Sequence, residues 1–357
     1  MNILHIANIE NNPCNGVSVV VPRHIIAQSR YANVFFYNAK GIAINGLDEY
    51  QLQGEIDVLA LKNIIPNIDL VIFHEAYCKK YIKIARQLCL NKIKYIIVPH
   101  SQLTQAALHR KRIKKTIANK LFFNDFFKNA SGIQCLSKLE LETTDYNSKK
   151  FIGTNGMSMP ILDKRCVAQD IKKIVYIGRL ETYQKGLDLL LNAIMTEQEL
   201  LRSREVKLDI YGPNYKGRQT KILNIIQKNN IEDIVHLHSE ITGKNKTRIL
   251  LSSDLFIQTS RFEGMPMGIL EALSYGVPCL ITKGTTLGDM LQKFDAGWVA
   301  DNEVADISRC IREAINSKNV LQKKSDNAIK MVNEKFAWDY IEKETLLIYK
   351  KIKQSNN

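Results

Sequence analysis

Two carboxylates, Glu263 and Glu271, are separated by seven residues in the run 260–273. A short apolar stretch, residues 254–258, precedes them, and the pattern after them predicts a helix ending near Gly276. Glu263 then sits before the helix and Glu271 in its second turn, on the order of 10 Å away at about 1.5 Å of rise per residue. Amides exposed at the helix start favour an anion between the two. The pair alone also fits a plainer reading, because acids near a helix start complement the helix dipole without any ligand. A second set of charges narrows the choice. Arg179 and Lys185 lie six residues apart in a loop predicted between a strand and a helix, with Gly178 and Gly186 beside them. Arginine chelates a phosphate at two points, and lysine supplies a compact charge. Hydroxyl-binding carboxylates combined with phosphate-binding cations suit a sugar joined to a nucleoside diphosphate, although in so basic a chain the two cations also fit a plain charged surface.

Such residues need a scaffold, and the chain supplies an α/β one. Near-continuous β-branched runs alternate with helical patterns: strands are expected at 2–7, 34–37, 69–74, 94–98, 132–136 and about 149–152, with a helix over 79–90. That alternation predicts parallel strands covered on both faces. A second series opens at 173–178 and continues through 206–211, 234–237, 254–258 and 277–281. Ligands of open α/β sheets bind at the carboxyl ends of the strands. His74, His100 and the loop containing Gly16 all fall at such ends in the first series, as Arg179, Lys185 and Glu263 do in the second. The predicted domains are 1–160 and 173–335, joined by an irregular linker over 161–172, with a terminal helix in 336–357.

The chain has 357 residues, enough for two cores rather than one. Seven scattered cysteines without a C-x-x-C pair are expected to be reduced and packed as small apolar residues. No apolar run approaches the roughly 18 residues of a membrane span, and the N-terminus reads as a strand rather than a signal peptide, so the expected location is cytoplasmic. The net charge of +14 admits an acidic polymer or an anionic membrane as partner, although abundant Lys, Ile and Asn also follow from an AT-rich genome. Its densest cluster, Arg110, Lys111, Arg112, Lys114 and Lys115, is followed by Ile117, Ala118, Leu121, Phe122, Phe126 and Phe127 at helical spacing. A basic amphipathic helix on anionic lipid, at the inner face of the plasma membrane, is one reading. A solvated charged face over a buried stripe is the other. No recognised nucleic-acid motif accompanies the patch, so nucleic acid is not expected as a partner.

The run Glu263-Gly264-Met265-Pro266 through Glu271-Ala272 resembles the E-x7-E signature of retaining GT-B glycosyltransferases of the glycogen-synthase-like, or GT4, family. Gly178-Arg179-Leu180 through Lys185-Gly186-Leu187-Asp188 resembles that family's G-R-L-x-x-x-K-G-x-D segment, and Gly16 its glycine-containing first loop, with Asn15 in place of a first glycine. Most relatives place glycine where this chain has Ser101, after the histidine at position 100. The resemblance implies two facing Rossmann-like domains, with the terminal helix crossing back to the first. By it, Arg179 and Lys185 hold the donor diphosphate, Glu271 the ribose hydroxyls and Glu263 the sugar hydroxyls. Gly16, Gly264, Met265, Pro266 and Met267 then line the donor, and His100 lies near the reacting centre. It further implies a nucleotide sugar, UDP-linked, as co-substrate, a glycan or polyprenyl-linked acceptor, no metal and no other cofactor. The subgroup that builds bacterial capsular or lipid-linked polysaccharide is the closest in pattern. A nucleotide-sugar epimerase or hydrolase, and a non-enzymatic membrane or polyanion binder, remain the alternatives.

Overall fold

The structure is a computed structural model. It describes residues 1–357 except 14, 55–60, 62, 64, 66, 110–115, 145, 147, 148, 161–166, 215, 216, 356 and 357. The basic cluster 110–115 and half of the expected linker, 161–166, therefore lie outside the described residues. Two compact units are present: Met1–Gly156 with Trp338–Asn357, and Met157–Ala337.

In the first unit, the apolar runs form β1 (Asn2–Ala7), β2 (Asn33–Asn38), β3 (Leu70–His74), β4 (Tyr95–Val98), β5 (Gly132–Cys135) and β6 (Lys150–Ile152). They pair in the order β2-β1-β3-β4-β5-β6, and every pairing is parallel. Burial on both faces explains why β3 and β4 carry no polar alternation. The helix Gly16–Gln28 begins directly after the loop that follows β1. Asn15 caps it by accepting from the amides of Val17 (3.0 Å) and Ser18 (3.3 Å). The helix Trp338–Gln354 packs on this unit through Tyr349, whose hydroxyl donates to Gln134 at 2.5 Å, and through a Lys353–Asp69 ion pair at 2.5 Å.

The second unit contains β7 (Lys173–Ile177), β8 (Lys207–Tyr211), β9 (Val235–His238), β10 (Leu255–Gln258), β11 (Cys279–Thr282) and β12 (Gly297–Ala300), in the parallel order β12-β11-β10-β7-β8-β9. Strand β12 escapes the sequence pattern because it is a short, half-buried edge strand opening on glycine. The chain runs outward from β7 to β9, then returns to β10 on the other side of β7. The strand order thus reverses between β7 and β10, the kind of point where open sheets bind ligands.

Two expectations need correction. The apolar stripe expected over 117–127 is not one face. A π-helical turn at Asn119–Phe123 adds an extra residue to the repeat, so Phe123, Phe126 and Phe127 turn into the core while Ile117, Leu121 and Phe122 stay 45–63% exposed. Nor are all cysteines buried: Cys135, Cys279 and Cys310 are, Cys78 is half-buried and Cys89 is exposed, and these five are free thiols.

Gly186 ties the two central loops of the second unit together. Its φ is +65°, and a Cβ there would lie 1.8 Å from the Thr259 carbonyl oxygen. The Gly186→Ala substitution is therefore expected to cost about 3 kcal/mol or more, read as a lowered urea midpoint. An unchanged midpoint contradicts this packing.

Candidate functional site

Glu263 lies in the loop after β10 and Lys185 in the loop after β7, so the two side chains come from opposite sides of the point where the strand order reverses. Their ion pair measures 2.5 Å, with the side chains only 15% and 9% exposed for Lys185 and Glu263. The same carboxylate oxygen accepts from Ser260 Oγ (2.7 Å) and Gln258 Nε2 (3.0 Å), both on the β10 side. These donors offset the desolvation that a buried charge otherwise suffers.

Further bonds sew the two loops together. Thr259 Oγ1 donates to the Gly186 carbonyl (2.8 Å), and the Arg261 amide to the Gln184 carbonyl (2.8 Å). Arg261 forks onto Asp188 at 2.7 and 2.8 Å and lies 4.6 Å from the centre of the Tyr183 ring. Beneath Lys185, buried Glu181 accepts from the amides of Gln184 and Lys185 and from Arg218. Although desolvation pushes its carboxyl upward, the Arg218 guanidinium and these amides hold it below the usual carboxylate range. A third loop, after β11, closes on Glu263: the Glu263 amide donates to the Gly284 carbonyl at 2.9 Å, and Thr286 Oγ1 to the Gly264 carbonyl at 3.3 Å.

Glu271 occupies the second turn of the helix Met267–Ser274, and it forms an ion pair with Lys246. The free amides expected at this helix start are largely taken up locally. Met267 N donates to the Met265 carbonyl, and Ile269 N and Leu270 N to Pro266, so the backbone turn itself consumes them. Any anion here depends more on side-chain cations than on the helix terminus. Met265 and Met267 are half-buried against the apolar cluster that contains Phe256, Ile269 and Leu273. Arg179 leads the loop after β7, where its carbonyl accepts from the Tyr176 hydroxyl at 3.0 Å.

In the first unit, Gly16 is the exposed first residue of its helix, and a Cβ there would meet nothing within 4 Å. His100 follows β4 with φ +47°, and Ser101 follows with φ +64°. A left-handed serine is strained where glycine would not be. Its amide is held by buried Glu140 at 2.5 Å, and Glu140 also accepts from Leu136 N. Behind His100 stand His74 and His5, both fully buried and neither singled out as a pair by sequence. His74 Nδ1 lies 3.3 Å from His100 Nε2, and His74 Nε2 lies 2.9 Å from His5 Nδ1. Burial, with the neighbouring His24, pushes His5 and His100 down to about 3 and His74 well below its ordinary value.

Among the described residues, two groups of side chains have donor sets able to hold a metal ion: buried His5, His24 and His74, and half-exposed Asp209, His236 and His238 on β8 and β9. Sequence reading missed Lys246, Arg261, Asp188, Glu181, Arg218, Gln258 and the histidine stack. Arg261, Glu181 and Asp188 lie inside the two motif runs and His74 at a predicted strand end, which is the local signal they carried; Lys246, Arg218 and Gln258 carried none.

Two doubly wound units of this kind in one chain constitute the GT-B fold. Residues 163–331 match the family described as Glycosyl transferases group 1, so this segment is a group 1 glycosyltransferase domain. An uncharacterized glycosyltransferase of Methanocaldococcus jannaschii is 26% identical over 185 residues, 52% of this chain and 46% of that protein. The O-antigen chain mannosyltransferase B of Escherichia coli is 25% identical over 194 residues, 54% of this chain and 49% of that protein. The chain thus spans about half the length of the curated relatives it matches. Among solved structures, Anabaena HepE in complex with UDP-glucose superimposes with a TM-score of 0.75 at 15% identity, covering 98% of this chain and all of that one, which is a likeness of fold.

The neutral histidines carry a pH signature. Because His5 titrates lower in the folded chain than its ordinary 6.5, the unfolded state takes up protons that the folded state refuses. Stability is full above that value and falls as pH drops, by about 1.4 kcal/mol per unit for each such histidine. Thermal unfolding at pH 7.5 and 5.5 is expected to show a clearly lower midpoint at 5.5; equal midpoints contradict buried neutral histidines.

Proposed function

We propose that this protein moves a sugar from a nucleoside diphosphate donor to an acceptor hydroxyl. The reading rests chiefly on the buried Lys185–Glu263 pair at the strand-order reversal of a group 1 domain. Without donor, Lys185 neutralises Glu263; with donor, Lys185 and Arg179 take the diphosphate and Glu263 is released to the sugar hydroxyls. The departing diphosphate gains charge as the glycosidic bond breaks, and fixed cations stabilise charge where it develops. Because those cations already supply that stabilisation, the proposal needs no metal. Glu271 holds the ribose hydroxyls, His100 meets the sugar near the reacting carbon, and Gly16 leaves open space at the helix start. Gly264, Met265, Pro266 and Met267 line the donor. Configuration is retained, with the leaving phosphate as base on the same face and no protein nucleophile assigned.

The donor is proposed to be UDP-linked, as in HepE with UDP-glucose. The similarity to an O-antigen mannosyltransferase supports a glycan or polyprenyl-linked acceptor in bacterial surface polysaccharide synthesis. Among the described residues no helix is long and apolar enough to cross a membrane. Exposed Ile117, Leu121 and Phe122 directly follow the basic cluster in sequence, which supports peripheral contact with anionic lipid at the inner face of the plasma membrane.

Purified protein assayed with UDP-glucose, UDP-N-acetylglucosamine, GDP-mannose and ADP-glucose, with and without a polyprenyl-linked glycan, tests this. Transfer is expected to persist in EDTA. The Lys185→Ala and Glu263→Gln variants are expected to lose about 100-fold or more in kcat/KM while keeping a native circular dichroism spectrum. Full activity in both variants would sink the proposal, and turnover indifferent to acceptor would favour an epimerase or hydrolase.

A further inference from the structure

A hydrogen-bonded chain runs through the core of the first unit from the C-terminal helix to His100. Glu342, fully buried on the helix Trp338–Gln354, accepts from Gln28 Nε2 at 2.9 Å. Gln28 Oε1 lies 2.9 Å from His5 Nε2, His5 Nδ1 lies 2.9 Å from His74 Nε2, and His74 Nδ1 lies 3.3 Å from His100 Nε2. His24 flanks the start of the chain, its Nε2 being 3.2 Å from Glu342 Oε1 and 3.3 Å from Gln28 Nε2.

The direction of every proton in this chain follows from its first member. A carboxylate only accepts, so the nitrogen of the Gln28 amide must face Glu342, and its oxygen must face His5. An amide oxygen also only accepts, so His5 Nε2 carries hydrogen. Two N–H groups cannot meet at 2.9 Å. Since His5 is neutral, its Nδ1 holds a lone pair, and His74 Nε2 must be the donor to it. The same step repeats once more: His74 Nδ1 is a lone pair, and His100 Nε2–H donates to it. Either orientation of His24 leaves the Gln28 nitrogen toward Glu342.

We infer that Glu342, acting through Gln28, His5 and His74, sets the tautomer of His100, so that His100 presents the lone pair of Nδ1 at the end of β4. Among the described residues, His74 is the only hydrogen-bonding partner of His100, which leaves Nδ1 for a ligand. His100 is then an acceptor for a hydroxyl hydrogen and not a donor to an oxyanion. Glu342, Gln28, His5 and His74 are positioning residues. The proton order stands on the hydrogen bonds together with the neutrality that burial imposes on His5 and His74; its consequence for sugar recognition rests on the donor-site reading above.

The full chain, labelled with 15N in its seven histidines, tests this without donor present. Long-range 1H–15N correlation distinguishes protonated from lone-pair ring nitrogens, and His100→Asn identifies the signals of His100. Wild type is expected to show His100 with Nε2 protonated and Nδ1 bare. Glu342→Gln, whose amide can face Gln28 with either atom, is expected to give mixed or reversed His100 signals. In the transfer assay it is expected to lower kcat on the order of tenfold with donor KM little changed, while Glu342→Asp restores the wild-type pattern. A wild-type His100 protonated on Nδ1, as a neutral carboxyl at 342 would produce, overturns the inference, whether or not any variant folds. So do His100 signals unchanged in folded Glu342→Gln. Absence of glycosyl transfer would overturn the donor reading and leave the spectrum as the judge of the tautomer.

Discussion

One buried ion pair organises the second unit. Lys185 and Glu263 belong to loops 78 residues apart, and both loops arrive at the same place because β7 and β10 are neighbours in the sheet. Burying opposite charges is costly unless each is further hydrogen-bonded, and removing one partner strands the other. The surroundings answer that demand at the carboxylate with Ser260 and Gln258, while Gly186 permits the close approach the pairing needs. Arg261 and Asp188 repeat the link at a second, more exposed point. Under the proposed function, a site pre-charged in this way would exchange one set of ionic partners for another on binding a diphosphate, rather than create charge in a dry place.

The first unit solves a different problem with similar topology. Its strand order reverses between β1 and β3, and the two fully buried histidines meet across that seam. Burial lowers the pKa of both histidines, which makes them neutral, and neutral imidazoles in series transmit a direction rather than a proton. The buried carboxylate that sets this direction lies on the terminal helix, which gives that helix a chemical part as well as a packing one. The distorted backbone at His100 and Ser101 belongs to the same arrangement. Glu140 grips the Ser101 amide, which keeps the loop in a left-handed conformation that serine alone would avoid.

Much of this was legible in the sequence. Parallel strands announced themselves because residues such as Val71-Ile72-Phe73 and Ile96-Ile97-Val98 are buried on both faces. The cations, the glycine beside Lys185 and the two glutamates lie in short runs where local spacing carries meaning. What was not legible is what topology alone assembles. Nothing local joins Glu271 to Lys246, or His5 to His74 and Glu342, since their separations in sequence bear no relation to their distances in space. The π-helical turn at Asn119–Phe123 reassigned apolar residues that a regular period places on one face. Asn15, read as a departure from a glycine pattern, proved to be a helix cap, and the helix start expected to offer free amides spends them on its own turn.

The central claim is that the second unit binds a nucleoside diphosphate sugar through side-chain cations and two carboxylates. A thermal-shift titration of the intact protein with UDP-, GDP- and ADP-sugars tests it most directly, because a ligand that binds only the folded chain raises its stability by about 2.7 kcal/mol at a hundred times Kd. The account predicts a saturable rise in midpoint with at least one of these donors in the absence of divalent metal, and loss of that rise in Glu271→Ala. No saturable rise with any of them, or an undiminished rise in Glu271→Ala, would contradict it.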